Sequence, residues 1–132
     1  MISFEKFVPI DGSPIYLQII TYLKRGIAAG FILDGDEMPS RRVASALLGI
    51  NPNTVQKSYR LLEEEGIVSS NQGAKSYVTI NGDKIASIRS ELLSAEANAA
   101  TIAMKQMGVS KEEALMAISR AWDEPEKGKS NL

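Results

Sequence analysis

Apolar positions along this chain fall into five blocks with a helical period, interrupted once by two short runs with a strand period. From Pro14 to Gly30, the residues Ile15, Ile19, Leu23 and Ile27 recur every four positions and Ile20 widens the stripe. That spacing predicts a helix with a proline in its first turn, a glycine at its end and one apolar face for packing. Phe31, Ile32 and Leu33 then lead into a turn at Asp34-Gly35-Asp36. Between Met38 and Gly66 the pattern predicts two short helices around a tight polar turn. The first opens at Ser40, a capping hydroxyl, places Val43, Ala44, Leu47 and Leu48 on one face and stops at Gly49. The second is capped by Asn51, and Pro52 takes the first helical position, where a missing N–H is harmless. Val55, Leu61 and Leu62 give it a buried side, leaving Asn53, Thr54, Gln56, Lys57 and Arg60 outward. This is a helix-turn-helix.

Gly66 fits the left-handed position just past that helix, and the period then changes. Ile67-Val68-Ser69-Ser70 and Ser76-Tyr77-Val78-Thr79-Ile80 are β-prone, and residues 71–75 between them carry the Asn and Gly of a hairpin loop. The hairpin is a wing with Gln72, Gly73 and Lys75 at its tip. From Lys84 to Met107, Ile85, Ile88, Leu92, Ala95, Ala99 and Ile102 line one helix face at spacings of three and four. Gly108 ends that helix. Ser110-Lys111-Glu112-Glu113 is a capping box for another, with Val109 placed to staple against Ala114, and Ala114, Leu115, Ile118 and Trp122 form its apolar side. From about 123 the chain is polar, with Pro125 and Gly128, and reads as a frayed tail. The fold class predicted is mainly α with a small β-hairpin. A winged helix-turn-helix domain spans 1–80 and a C-terminal helical hairpin for dimerisation spans 81–132.

Charge sharpens the picture locally. The net charge is only −1, with 15 basic and 16 acidic residues, so the whole chain gives no general attraction for nucleic acid. Yet between Met38 and Leu62 the charged residues are Arg41, Arg42, Lys57 and Arg60, while acids crowd just outside at Asp34, Asp36, Glu37 and at Glu63, Glu64 and Glu65. Positive charge is thus concentrated on the helix-turn-helix, where phosphates would lie. The chain has no histidine and no cysteine, which removes Cys/His zinc sites, thiol catalysis, disulfides and a histidine general base. The carboxylate clusters read as a turn and a solvated helix end, so neither a metal nor another cofactor is expected, and no enzymatic constellation is present. No secretory signal or membrane-length apolar run is apparent, and a soluble cytoplasmic protein is the expectation.

Residues 13–80 resemble the winged-helix domain of GntR-type bacterial transcription regulators. The resemblance rests on ordered matches: Pro14-Ile15-Tyr16-Leu17-Gln18-Ile19, Gly30, Gly35-Asp36, Met38-Pro39-Ser40, Arg42, Asn53-Thr54-Val55, Leu62-Glu63-Glu64-Glu65-Gly66, Gly73 and Tyr77-Val78. It implies DNA contacts from Arg42, Asn51, Asn53, Thr54, Gln56 and the wing glycine Gly73. With the neighbouring polar and basic side chains, the expected DNA-facing set is Ser40, Arg41, Arg42, Asn51, Asn53, Thr54, Gln56, Lys57, Arg60, Gln72, Gly73 and Lys75. Four positions depart from the usual family pattern. Arg41 stands where an acidic residue is common, Asn51-Pro52 where a serine-arginine pair is common, and Lys75 where a second wing glycine is common. The run Ile50 to Lys57 is similar to the small YtrA-like branch of the family. Asn53 and Gln56 have the paired donor and acceptor that suit adenine.

The 52 residues after Ile80 are too few for the large effector-binding or aminotransferase-like domains that the family resemblance would otherwise imply. Two amphipathic helices cannot enclose their own apolar surface. They either pack back on the same chain or pair with a second copy, and pairing is preferred, through Ile85, Ile88, Leu92, Ala95, Ala99, Ile102, Leu115, Ile118 and Trp122. The resulting expectation is a homodimeric, sequence-specific regulator of transcription, a repressor, acting on a palindromic double-stranded DNA operator, with room for a small-molecule effector of unassigned identity. The alternative is a winged-helix module for protein contact without specific DNA binding.

Overall fold

The computed structural model of the chain describes residues 1–71 and 75–125. Its elements are α1 (Ile15–Ala29), α2 (Arg41–Leu48), α3 (Pro52–Glu64), β1 (Val68–Ser70), β2 (Ser76–Val78), α4 (Gly82–Gln106) and α5 (Lys111–Asp123). Two compact units divide the chain, one of Met1–Ser90 and one that begins at Glu91. The first unit therefore extends ten residues past the boundary expected at Ile80, taking in the first turns of α4. The cause is visible in those turns. Ile88 is buried, the Lys84 ammonium donates to the Glu65 carbonyl at 2.5 Å, and the Arg89 guanidinium donates to the Ala28 carbonyl at 2.8 Å. Both cations reach the carbonyl ends of helices, where orphan acceptors and the negative end of the macrodipole favour them.

The core of the first unit is built on α1 and α3. Ile19, Ile20, Leu23 and Ile27 of α1 are buried, as are Val55, Tyr59 and Leu62 of α3. Full burial of such a side chain stabilises by about 1.5–3 kcal/mol. Ala44 is the buried position of α2, and Ile67, Val68, Val78 and Ile80 close the core from the wing side. Ile2 and Phe4 join it from the N-terminal segment, which is tied down where the Gln18 side chain bonds the Ile10 N–H and carbonyl at 2.8 and 2.9 Å. Two expectations for α2 and α3 are corrected here. Val43 and Leu47 are exposed rather than packed, because in a helix this short only the Ala44–Leu48 side faces inward, and Leu61 is only half-buried while Ser58 and Tyr59 take the core positions.

Helix ends follow the sequence closely. Ser40 Oγ accepts the Val43 N–H at 3.1 Å, Asn51 Oδ1 accepts the Asn53 N–H at 2.7 Å, and Ser110 Oγ accepts the Glu113 N–H at 3.2 Å. At Gly66, with φ at +75°, the Gly66 N–H bonds the Glu63 carbonyl and the Ile67 N–H bonds the Leu62 carbonyl, both at 3.0 Å. These are the two bonds of a Schellman ending, and they turn the chain directly into β1. The strands pair antiparallel with Val68 opposite Val78, Ser69 opposite Tyr77 and Ser70 opposite Ser76. Residues 35–38, expected only as part of a turn, also bond to β2. Gly35 N–H reaches the Val78 carbonyl, Val78 N–H the Asp36 carbonyl and Met38 N–H the Ser76 carbonyl, at 2.8, 2.8 and 2.9 Å. An otherwise two-stranded hairpin thereby gains a covered edge.

In the second unit, α5 follows the remainder of α4 after Gly108, whose φ is +73°. None of its described residues is buried; Ala100, Met104, Val109 and Ala114 are half-buried. An apolar cleft of about 470 Å³ runs between the helices, lined by Ala97, Thr101, Met104, Val109, Leu115 and Ile118 among others. At 3.6 residues per turn, Leu92, Ala95, Ala99 and Ile102 lie roughly on the opposite side of α4 from that cleft.

Candidate nucleic-acid interface

The polar side of α3 is set by its buried side. Val55, Ser58, Tyr59 and Leu62 face inward at i, i+3, i+4 and i+7. Asn53, Gln56, Lys57 and Arg60 repeat that spacing two residues earlier, about half a turn around the helix, and all four are exposed. The inward row is anchored by polar bonds as well as by packing. Ser58 Oγ shares its one hydrogen between the Tyr16 and Thr54 carbonyls at 3.2 and 3.1 Å, and the Tyr59 hydroxyl donates to the Pro39 carbonyl at 2.6 Å. The second bond joins α3 to the residue that leads into α2, fixing the angle between the two helices. Burial pushes the Tyr59 phenol well above its ordinary value, against a smaller opposing effect of Arg41, so it remains a donor throughout the physiological range.

The twelve expected DNA-facing residues meet different fates. Asn53 and Gln56 are exposed on α3, Thr54 is half-buried, and Arg42 is exposed at the start of α2 with no ion pair among the described residues. Ser40 and Asn51 each accept a backbone N–H as caps, leaving the serine hydroxyl hydrogen and the asparagine amide free to donate outward. Lys75 is exposed at the loop end of the wing, immediately before β2, while Gln72 and Gly73 lie outside the described residues. The three remaining cations have partners inside the domain. The Lys57 ammonium sits 3.9 Å from the centre of the Tyr16 ring, and Arg60 pairs with Glu64 at 3.3 Å one helical turn on. Arg41 pairs with Glu63 at 3.0 Å and stacks over the Tyr59 ring at 5.2 Å. Of the acids expected to sit outside the basic stretch, Glu63 and Glu64 meet its cations, whereas Glu65 pairs with Lys24 of α1 at 3.0 Å. Linear spacing concealed this because Arg41 and Glu63 are 22 residues apart.

Sequence reasoning missed three residues that shape this surface: Tyr16, Ser58 and Tyr59. Tyr59 was legible as the i+4 partner of Val55; the Tyr16–Lys57 contact, between α1 and α3, was not. Of the expected dimerisation residues, Ile88 is corrected, since its side chain is already buried in the first unit. Ile85 and Leu92 are half-buried, and Ala95, Ala99, Ile102, Leu115, Ile118 and Trp122 are exposed.

A helix-turn-helix followed by a two-stranded wing, with a polar recognition helix, is the architecture of a winged-helix DNA-binding domain. Residues 15–78 match the model of the bacterial regulatory proteins of the gntR family. The chain is 30% identical over 108 residues to the uncharacterised HTH-type transcriptional regulator YhcF of Bacillus subtilis, covering 82% of this chain and 89% of that one. It is 40% identical over 73 residues to the HTH-type transcriptional repressor YtrA of Bacillus subtilis, an alignment that covers 55% of this chain and 56% of YtrA. Its structure is similar, with a TM-score of 0.77, to a GntR family transcriptional regulator from Listeria monocytogenes at 28% identity, covering 85% of this chain and 98% of that one. The chain belongs to the GntR family of bacterial transcriptional regulators, as the sequence resemblance implied, and is not an enzyme. No helix among the described residues is long and apolar enough to cross a membrane.

Proposed function

We propose that the protein is a sequence-specific DNA-binding repressor that acts in the cytoplasm as a homodimer on a palindromic operator. The observation that carries the reading is the exposed row of α3, with Asn53 and Gln56 outward directly opposite a fully packed face, beside an Arg42 that has no ion pair among the described residues. Asn53 and Gln56 read base edges, Arg42 and Lys75 hold phosphates, and the wing lies against the adjacent backbone. Repression is supported by similarity to the repressor YtrA across the DNA-binding domain. The dimer is supported by the second unit, whose described residues include none that is buried and whose Ile102, Leu115, Ile118 and Trp122 are all exposed. Two-fold symmetry sets the recognition helices one DNA turn or a small multiple apart, about 34 Å per turn.

Selection of bound sequences from a random duplex pool, with the mass in solution measured in the same buffer, tests this reading. A palindromic consensus and a dimer mass are expected. Enrichment of no sequence would transfer the module to protein contact. On the selected site, Arg42→Ala weakens binding to all sequences and flattens the salt slope by about 0.9, the value for one phosphate. Gln56→Ala costs about 1–3 kcal/mol on the selected site and little on random DNA.

A further inference from the structure

We propose that Arg41, Glu63 and Ser70 form a latch that fixes the wing against the recognition helix, and that Arg41 is a positioning residue rather than a phosphate contact. The proposal rests on the DNA-binding reading above.

One carboxylate oxygen joins three elements. Glu63 Oε1, near the end of α3, accepts from Arg41 Nη2 of α2 at 3.0 Å and from Ser70 Oγ of β1 at 2.6 Å. Ser70 Oγ lies 2.9 Å from Ser76 Oγ, carrying the connection onto β2, and the Ser76 residue is buried. The Ser76 carbonyl accepts the Met38 N–H at 2.9 Å, and the next residue's carbonyl, that of Pro39, accepts the Tyr59 hydroxyl beneath the Arg41 guanidinium. These contacts form a closed circuit at the loop end of the wing strands, running through α2, α3, β1, β2 and the segment before α2.

Two features assign Arg41 to this circuit rather than to DNA. Its guanidinium is held on one side by the Glu63 carboxylate and beneath by the Tyr59 ring, and its Nε is buried with no hydrogen-bond partner. A guanidinium serving a phosphate would keep its donors on the surface. Arg42, the next residue, has that exposure. A hairpin of three residue pairs is marginal alone, and the latch adds a contact from β1 to α2 and α3 beside the backbone bonds that residues 35–38 make to β2. Lys75 immediately precedes Ser76, so the latch sets where its ammonium meets the DNA backbone.

The test is a set of anisotropy titrations on the selected operator at several salt concentrations. Arg41→Gln and Glu63→Gln each weaken binding about five-fold, whereas the double variant, which restores a neutral hydrogen-bonded pair and leaves net charge unchanged, returns to within about two-fold of the parent at the same salt slope. Lys75→Ala weakens the parent about three-fold and has almost no further effect in a Glu63→Ala background. Ser70→Ala, which deletes a single oxygen, carries the same coupling measurement should Glu63→Ala fail to fold. A double variant that stays weak with its slope reduced by about 0.9 makes Arg41 a phosphate contact and overturns the latch. Strictly additive effects of Lys75→Ala and the latch variants, or no Lys75→Ala effect in the parent, also overturn it. A parent that binds no duplex at all removes the DNA-binding reading itself, a result distinct from either.

Discussion

Up to Ser90 the chain closes a core around Ile19, Leu23, Tyr59 and Leu62, while from Glu91 onward helices with equally clear start and stop signals bury no described residue. Local signals are of similar quality in both units. Ser40 and Asn51 cap helices in the first, and Ser110 caps one in the second. The difference is that the first unit has a third layer: α1 lies on α3, and the wing and N-terminal segment cover the remaining edges. Two helices alone have no such layer, so their apolar residues stay at the surface. Caps and periodicity make helices; a core needs enough surrounding elements to exclude water.

The contrast can be broken by truncation. Leu62→Ala is expected to destabilise the first unit by about 2–5 kcal/mol in urea unfolding, since Leu62 is fully buried. Paired changes Leu115→Asp and Ile118→Asp in the second unit are expected to leave that transition within about 0.5 kcal/mol at low protein concentration. If the proposed dimer forms through this face, they raise its dissociation constant at least about 100-fold, equivalent to roughly 3 kcal/mol, in sedimentation equilibrium. An unchanged dissociation constant would sever the exposed face from dimerisation.

A smaller effect sharpens how the first unit is held. Tyr59→Phe removes the bond to the Pro39 carbonyl and is expected to cost about 1–1.5 kcal/mol. It also changes the response to alkali. An unfolded tyrosine ionises near 10, whereas burial keeps the folded Tyr59 protonated to higher pH. The unfolded state therefore loses its proton first. Stability is fully present below pH 10 and declines above it, by up to about 1.4 kcal/mol per pH unit for this group. Tyr59→Phe flattens that decline in thermal melts between pH 9 and about pH 11. A residual slope is expected from Tyr22, whose phenol is also raised, chiefly by burial.

Much of the fold was legible because it is written in short-range chemistry. The helix-turn-helix follows from Ser40, Gly49, Asn51 and Pro52, each acting on backbone within a few residues. The wing follows from Gly66 and the change of period after it. Less of the interface was legible. Arg41, Lys57 and Arg60 looked like a free basic face, yet each meets an acid or a ring inside the domain. The contribution of residues 35–38 to the sheet was hidden for the same reason: their partner, β2, is about forty residues away.

By itself, the sequence determined where helices and strands begin and end, which family the chain belongs to, and which row of the recognition helix stays polar, because these depend on capping, periodicity and the φ preferences of glycine and proline. Only the tertiary structure decided which charges remain available and how far the first unit extends. An ion pair between Arg41 and Glu63, or the burial of Ile88, exists only once remote elements meet, and no local rule specifies which acid a given arginine will find.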